Sequence, residues 1–394
     1  MSVTQSQSTT AAAVLHVAFE LGWGEWKLAF STGLAQAPRL RTVGARKLLL
    51  LQDEIAKAKV RFGLPADAPV VSCYEAGRDG FWLHRYLVAQ GIDNAVIDSA
   101  SIETNRRHRR AKSDRIDAAA LLNKLIRRHL GDDKGWKVIR VPEPVEEDAR
   151  QVHRDLCEMK GGRTERVNRI KGLLANHGLE IIVDAKFPER LQKLRTWNGT
   201  PVPPQLHARL LREFAVWQFI DGQIRDLDAQ RVQRVRSEAS PTLDAVRKLL
   251  GLRGVGLNSA WLYVLELFGW RRIRNRRELA ALTGLTPTPY NSGDNDREQG
   301  ISKAGNRRVR AMAIELAWGW LHHQRDSELT KWYYRRFAKG SSRTRRIGIV
   351  ALARKLLVAL WRYLEHGEVP AGAQETCWQA KMSKCRVRAT AATA

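Results

Sequence analysis

Four carboxylates in the first third of the sequence could together bind a divalent metal ion. Glu20 and Glu75 each end an apolar, strand-like stretch, and Asp114 and Asp117 lie three residues apart at the predicted start of a helix. Residues at this spacing share one face of a helix. Carboxylate oxygens suit Mg²⁺, with Mn²⁺ as the alternative. Two such ions about 4 Å apart can stabilise both the attacking and the leaving oxygen of a phosphodiester.

Each of these carboxylates also has a simpler structural explanation. Glu20 could be a surface charge at a strand end, and Asp114 could cap its helix. The combination with a neighbouring basic segment favours a metal site beside a bound nucleic acid, because arginines attract the phosphate backbone. The arginines of that segment, predicted to bind nucleic acid, are Arg106, Arg107, Arg109 and Arg110.

Two serines further along the chain are candidate nucleophiles. Ser292 lies in a polar, glycine-containing segment where its hydroxyl could be exposed, but serine needs a nearby metal or base to become reactive. Ser302 has the alternative role of a helix N-cap, since a helix is predicted from about Asn306. The residues themselves leave the choice between the two serines open. The basic side chains that follow, also predicted to bind nucleic acid, are Lys303, Arg307, Arg308 and Arg310.

The charge balance indicates a polyanionic partner. The 394 residues include 67 Lys and Arg against 41 Asp and Glu, a formal net charge of +26. Residues 301–394 alone carry 19 basic and 6 acidic side chains. A folded chain tolerates such self-repulsion more easily when phosphates offset it, so we expect DNA or RNA to be bound, much of it by this last quarter.

Several classes of protein are disfavoured. The four cysteines form no C-x-x-C pair, which argues against a zinc ribbon and a disulfide framework. The first ten residues lack the order of a secretory signal, and no apolar run approaches the length of a membrane-spanning helix. We therefore expect a cytoplasmic, nucleoid-associated protein without a membrane partner.

The elements that must position these residues fall into four regions. Strand-like and helical stretches alternate over residues 11–144, which predicts an α/β domain. Residues 145–240 have few strand signals and are predicted to form long helices. Residues 241–366 form a third, mainly helical domain, and residues 367–394 read as a basic, flexible tail.

Two features stand out within the helical regions. Apolar side chains at steps of three and four indicate a long packed helix, either a dimer seam or an intramolecular contact; they are Leu210, Phe214, Trp217, Ile220, Ile224 and Leu227. Residues 250–256 (LGLRGVG) before an apolar helix are typical of a helix-hairpin-helix element, whose glycines let backbone N–H groups approach a phosphate.

The ordered blocks of this chain resemble the DEDD transposases of RNA-bridged bacterial insertion sequences. The most specific matches are residues 112–118 (KSDRIDA), 284–287 (GLTP), 292–293 (SG) and 301–306 (ISKAGN). The resemblance covers roughly residues 15–323. It implies a RuvC-like domain of the RNase H fold, then a helical coiled coil, then a serine-bearing transposase domain.

The resemblance also implies roles for individual residues. The acids of the metal site would be Glu20, Glu75, Asp114 and Asp117, and the nucleophile would be Ser292. Glu20 departs from the pattern, since the first acid is usually Asp, and the extra methylene could change the metal spacing. The implied partners are donor and target DNA, a structured guide RNA, and further copies of the chain in a homodimer or homotetramer. In that assembly, the acids of one subunit would act beside the serine of another.

Three hypotheses about function follow. The first is a transposase or recombinase that cuts and rejoins DNA through a metal-assisted serine nucleophile, guided by a bridging RNA. The second is a metal-dependent, structure-specific nuclease, similar to a Holliday-junction resolvase, that uses the four acids and water. The third is a nucleic-acid-binding protein without catalytic activity, in which Glu20 marks a decayed site.

Overall fold

The computed structural model describes residues 13–101, 114–132, 136–292 and 295–384, with their side chains except at residues 100, 114, 115, 289–299 and 384. The chain divides into two units, residues 1–142 and 143–394. The first unit is a mixed α/β sheet domain and the second is mostly helical. The predicted order of an α/β domain followed by helical regions is confirmed.

Five strands form the sheet of the first unit in the order β3-β2-β1-β4-β5. Their bounds are β1 Leu15–Leu21, β2 Glu25–Ser31, β3 Arg39–Gly44, β4 Val70–Glu75 and β5 Asp93–Ile97. β1 pairs antiparallel with β2 and parallel with β4, β2 pairs antiparallel with β3, and β4 pairs parallel with β5. The first five residues of β1 are all buried, because this central strand is covered on both faces.

Helices cover the two faces of the sheet with separate cores. On one face, α1 (Leu48–Arg61) and α2 (Trp82–Ala89) pack against alternate strand residues such as Phe19 and Tyr74. On the other face, α3 (Asp114–His129) packs against Ala18 and Cys73. Side chains alternate between faces along a strand, so the face of each strand residue follows from its position.

The second unit contains the remaining helices and one short hairpin. The helices are α4 Pro144–Asp148, α5 Gln151–Ala175, α6 Phe187–Lys193, α7 Pro204–Ser237, α8 Pro241–Leu250, α9 Leu257–Tyr263, α10 Arg276–Thr283, α11 Arg307–His323, α12 Glu328–Phe337, α13 Ser342–His366 and α14 Trp378–Lys384. A single π-helical turn, residues 264–268, continues α9. The antiparallel hairpin strands are β6 Pro287–Ser292 and β7 Asn295–Ile301.

The long helices α5 and α7 pack along one another. The apolar stripe predicted on α7 faces α5: Leu210 and Phe214 share a core with Ile170 and Leu174, and the Ile220 side chain lies 3.7 Å from where a Cβ would stand on Gly162. Within one chain, the stripe therefore makes an intramolecular contact, which was one of the two alternatives left open by the sequence.

Two strands, β3 and β6, were not predicted from the sequence. β3 has the polar sequence RLRTVG and lies at the edge of the sheet, so it lacks the apolar run expected of a buried strand. β6 contains Pro287 and Pro289, which cannot donate to a strand ladder, and its register shifts between them. Ser292 therefore ends a strand at the hairpin tip, where a loop was predicted.

The first part of the predicted tail is folded. Residues 367–384 contain α14 and pack on the helical unit through the hydrogen bonds of Gln374 with Gln324 (2.7 Å) and of Tyr363 with Glu375 (3.2 Å). A flexible tail does not describe this segment, because these contacts fix it; residues 385–394 lie outside the described residues. No helix in the described part of the chain is long and apolar enough to cross a membrane.

Candidate active site

Glu20 and Glu75 occupy equivalent positions on neighbouring strands. In the parallel pairing of β1 with β4, Ala18 stands opposite Cys73 and Phe19 opposite Tyr74. Continuing that register by one residue brings Glu20 beside Glu75 at the carboxyl ends of both strands. Side chains alternate along strands, so both carboxylates share the sheet face of Ala18 and Cys73. This is the face that α3 covers.

The direction of α3 brings its first turn to the same edge. His129, the last residue of α3, stacks edge-on against His16 near the start of β1, with ring centroids 5.0 Å apart. The helix therefore runs antiparallel to β1, and its beginning lies toward the end of β1 that carries Glu20. Asp114 begins the helix and Asp117 stands one turn into it, so the start of α3 points toward the end of the sheet that carries Glu20 and Glu75.

The four carboxylates differ in their surroundings. Glu75 is exposed, Glu20 and Asp117 are half-buried, and the side chain of Asp114 lies outside the described ones. Oxygen donors of this kind match the ligand preference of Mg²⁺, so the donor chemistry fits such an ion. Among the side chains that the structure describes, no three acids, histidines or cysteines are close enough to hold a metal ion.

An exposed aromatic side chain lies at the same edge and was missed by sequence reasoning. Trp23 is in the turn between β1 and β2 and is 68% exposed. The guanidinium of Arg46 lies 4.7 Å from its ring centroid, and that of Arg78, three residues after Glu75, lies 5.0 Å away. Both arginines also pair with Asp79, Arg46 at 3.4 Å and Arg78 at 3.3 Å. The exposed indole can stack on a nucleobase while these arginines hold its ring. Only the Gly22-Trp23-Gly24 turn hinted at this in the sequence.

The candidate serines lie at opposite ends of the β6–β7 hairpin. Ser292 pairs with Asn295 at the hairpin tip, whereas Ser302 follows the base and donates its backbone N–H to the Thr286 carbonyl, 2.8 Å away. Ser302 does not cap the next helix. That role belongs to Asn306, whose side-chain oxygen accepts from the N–H groups of Arg308 (3.0 Å) and Val309 (3.2 Å).

The glycines of the matched blocks close the hairpin base. Gly284 has a φ of +66° and Gly305 a φ of +83°, a region that L side chains rarely adopt. A Cβ on Gly284 would also collide with the Ala304 carbonyl, and one on Gly305 with that of Leu282. The two blocks therefore approach one another at backbone distance, which explains why they need glycine at these positions.

The predicted nucleic-acid-binding residues are placed differently from one another. Lys303, Arg307 and Arg308 are exposed. Arg310 is half-buried, and its Nη1 donates to the Thr283 carbonyl (3.1 Å) and the Ala304 carbonyl (3.3 Å), which holds the hairpin base. The segment with Arg106, Arg107, Arg109 and Arg110 lies outside the described residues.

Most amides of the glycine-rich turn between α8 and α9 already have acceptors within the chain. The N–H groups of residues 251, 252, 253, 255 and 256 all donate to acceptors within the chain. The carbonyls of Leu250, Leu252 and Val255 instead accept from the Lys381 ammonium, at 2.7, 2.7 and 3.0 Å. The turn is thus held from inside by α14, and these five amides are not available to a phosphate.

A buried ionic network joins α5 to the rest of the helical unit. Glu266 is 3% exposed and receives two hydrogen bonds from Arg154, at 2.7 and 3.0 Å, and one from Asn306 at 3.4 Å. Burial favours the neutral acid, but the hydrogen bonds and charge of Arg154, with Arg150 and Arg308, lower the pKa of Glu266 below its usual value. The carboxylate is therefore ionised at neutral pH and serves to hold the helices together.

Comparison with known proteins relates this chain to transposases. Residues 246–334 match the family model described as transposase IS116/IS110/IS902 family, a segment that includes both serines and the hairpin. A putative transposase (y4rJ) of Sinorhizobium fredii is 38% identical over 91% of this chain and 94% of its own length. The transposase for insertion sequence element IS1111A of Coxiella burnetii is 24% identical over 72% of this chain and 75% of its own. With that extent of identity to y4rJ, the chain belongs to the IS116/IS110/IS902 family of transposases.

Proposed function

We propose that this transposase cuts and rejoins DNA through Ser292, assisted by Mg²⁺ at the edge of the sheet in the first unit. The observation that supports this best is the parallel register of β1 and β4, which pairs Phe19 with Tyr74 and so sets Glu20 and Glu75 side by side at the strand ends, on the face that α3 covers. Parallel strand ends meeting a helix start are a suitable frame for metal-binding carboxylates, and in this proposal the sheet is an RNase H-like, RuvC-related domain.

The serine would act as a covalent nucleophile. Its Oγ attacks a backbone phosphorus, so that a Ser–O–P bond forms and one P–O bond of the strand breaks. The departing strand oxygen takes up a proton and the serine hydroxyl loses one. A hydroxyl of the second strand then attacks the phosphoserine, which rejoins DNA and restores the serine. The bond energy is kept in the phosphoserine, so no nucleotide hydrolysis is required.

Glu20, Glu75, Asp114 and Asp117 would hold the ion, with Mn²⁺ as a substitute for Mg²⁺. When bound, such an ion stabilises negative charge on the reacting phosphate oxygens. Trp23 lies at the same edge and would orient the strand by stacking on a base. Arg46 and Arg78, which pair with Asp79, would hold the indole ring in place. Trp23→Ala should therefore weaken DNA binding at this edge, while Trp23→Phe should preserve most of it.

The partners proposed are donor DNA, target DNA and a structured guide RNA. Pairing with the guide would select the sequence, while the basic protein holds backbones without reading bases. The excess positive charge of residues 301–394 supports backbone binding by the helical unit. We propose that the chain acts as a homodimer or homotetramer. We propose that this assembly is cytoplasmic and associated with the nucleoid, where its DNA lies.

A denaturing gel tests the nucleophile. The full chain, purified with its co-purifying RNA, is incubated with Mg²⁺ and labelled DNA spanning the ends of its insertion sequence. We expect a protein–DNA adduct that Ser292→Ala abolishes and Ser302→Ala retains. The reverse result would assign the nucleophile to Ser302. Cleavage without an adduct, unaffected by either variant, would support the nuclease hypothesis, and no cleavage at all would support a protein that only binds nucleic acid.

The acids are tested in the same assay by separating cleavage from binding. Asp114→Ala should abolish cleavage and leave DNA affinity nearly unchanged, because a carboxylate does not attract phosphates. Asp132→Ala is the matched control, since Asp132 lies just beyond the far end of α3 and should leave both properties unchanged. A parallel loss of binding and cleavage in Asp114→Ala would argue against the metal role.

A further inference from the structure

The helical unit contains a large groove that takes no part in the proposed strand cleavage. It has a volume of about 1200 Å³ and lies between α13, α12, the start of α10, the base of the β6–β7 hairpin and residues 368–371. The floor is apolar and includes Leu285, Ile301, Leu329 and Trp332. Seven basic side chains line it, against the two acids Glu328 and Glu368; they are Arg276, Arg277, Lys303, Arg343, Arg354, Lys355 and Arg362. We call this site the cationic groove.

One face of α13 forms the length of the groove. Arg343, Ile347, Arg354, Val358 and Arg362 follow one another at helical spacing and all line it. At about 1.5 Å per residue, the stretch from the first to the last of these arginines extends roughly 28 Å. The groove is therefore long enough for a chain of several phosphates and too elongated for a single small ligand.

The arginines on this face have no carboxylate partners. Arg343, Arg354 and Arg362 form no ion pair with any residue that the structure describes. Glu328, one of the two lining acids, is itself paired with Lys331 at 3.0 Å. Cations gathered at this density without partners repel one another, so the groove is complementary to a polyanion.

The floor indicates what kind of polyanion fits. Ile347 is 54% exposed although it lies between arginines. Trp332 is half-buried, with the Lys355 ammonium 4.7 Å from its ring centroid. Exposed apolar and aromatic surface contributes nothing to a duplex, whose bases are stacked inside. It stabilises bases that have left the stack. An unpaired strand can use both the arginines and the floor.

Nothing in the described lining requires the 2′-hydroxyls of RNA. None of the described residues that line the groove carries a hydroxyl, amide or imidazole side chain. Neutral hydroxyl and amide groups are common partners of a 2′-hydroxyl, and none of them is present in this lining. A strand without 2′-hydroxyls therefore loses nothing here, and strand exchange would supply such a strand as unpaired DNA.

We propose that the cationic groove binds one unpaired strand of DNA, with phosphates on the arginines of α13 and bases on the floor around Trp332 and Ile347. Pro287 and Ile301, which pair at the hairpin base, form part of its wall, and the same hairpin carries Ser292 at its tip. The proposal rests on the proposed function only for the origin of the strand, since strand exchange exposes unpaired DNA.

Fluorescence anisotropy with the full chain tests the proposal without cleavage. Three labelled probes of one mixed sequence are compared, single-stranded DNA, single-stranded RNA and duplex DNA, in the absence of divalent ions. The triple variant Arg343→Ala, Arg354→Ala, Arg362→Ala should bind single-stranded DNA about 100-fold more weakly near 0.1 M salt. The slope of the logarithm of its binding constant against the logarithm of the salt concentration should become less steep by about 2, since each lost contact with a single strand removes about 0.7.

A second triple variant controls for net charge. Lys171→Ala, Arg209→Ala, Arg212→Ala removes three exposed cations from α5 and α7, and it should change the affinity by less than a third as much on a logarithmic scale. Ile347→Glu should weaken single-strand binding more than tenfold, and Ile347→Gln far less. Equal losses in the two triple variants, or an equal loss for duplex or RNA in the groove variant, would overturn the proposal.

The result is separable from that of the adduct assay. If the chain binds single-stranded DNA through these arginines but forms no adduct, the groove proposal is supported and the serine chemistry is contradicted. If the adduct forms normally and the groove variant binds single strands as well as the native chain does, the serine chemistry is supported and the groove proposal is contradicted.

Discussion

The α5–α7 helix pair and the cationic groove both carry many basic side chains but use them in different ways. In the helix pair, Arg163 donates to Asp221 at 2.7 Å, and Arg166 donates to Glu213 at 3.1 Å. Each of those acids also meets a second arginine, Arg225 for Asp221 at 2.9 Å and Arg169 for Glu213 at 3.6 Å. On the groove face of α13, the described arginines have no such partners.

This difference separates structural charge from functional charge. A cation matched by a carboxylate is already neutralised locally and has little to offer a phosphate. A cation without a partner costs self-repulsion in the free protein and recovers it when a polyanion binds. The distribution of charge is therefore more informative about binding than the net charge of +26. The paired cations of α5 and α7 stabilise the contact between two helices and are not available to a polyanion.

The largest expected effect on stability comes from removing the buried carboxylate that joins α5 to the helical core. Glu266→Leu should lower the free energy of unfolding by about 3 kcal/mol, because the half-buried Arg154 and the buried Arg150 lose a carboxylate that offsets their charge. Urea denaturation measures the change. Single-stranded DNA affinity of the folded variant should stay within twofold of the native value.

If the folded Glu266→Leu protein lost as much DNA affinity as the groove triple variant, the two regions would not differ in function as proposed. A change in stability below about 1 kcal/mol would show that solvent reaches Arg154 and replaces the carboxylate, as happens at surface ion pairs.

A second test uses pH. His153 on α5 is 2% exposed, and its Nδ1 accepts from Arg231 at 3.1 Å, so burial and then the Arg231 charge lower its pKa to about 4. In the unfolded chain, the pKa is about 6.5. Because only the unfolded state takes up the proton between these values, stability is lost as the pH falls through that window, by about 2 kcal/mol between pH 7.5 and pH 5.

The measurement compares urea denaturation at the two pH values in the native chain and in His153→Gln. The variant keeps an acceptor for Arg231 but has no proton to gain, so its stability should depend less on pH by that amount. Equal pH dependence in both chains would remove His153 as its source. The cationic groove contains no histidine among its described lining residues, and single-strand binding should change little over this range.

Much of the first unit could be predicted from the sequence, and the reasons are local. β1, β4 and the helix α3 are apolar runs at strand or helix spacing, and the ends of β1 and β4 identify Glu20 and Glu75 as neighbours if the strands are parallel. β3 and β6 could not be predicted, since one is polar and the other begins with two prolines. Their pairing depends on the partner strands, which the local sequence does not contain.

The surroundings of the candidate sites required the structure. The direction of α3, and with it the position of Asp117, follows from the contact between His16 and His129, which are far apart in the sequence. The groove combines residues from 276 to 371, and the spacing of Arg343, Arg354 and Arg362 shows a shared face without showing that the face is open. The triplet of Trp23, Arg46 and Arg78 likewise joins three separate turns.

The smallest expected effects give the sharpest comparison, because they come from single matched changes. Glu213→Gln in the helix pair should cost about 1 kcal/mol of stability, since Arg166 and Arg169 lose a shared carboxylate, and it should leave single-strand affinity unchanged. Arg354→Gln in the groove should leave stability unchanged within about 0.5 kcal/mol and weaken single-strand binding about fivefold near 0.1 M salt. If Arg354→Gln instead lost stability and kept its affinity, the groove arginines would be structural like those of α5 and α7, and the contrast between the two regions would fail.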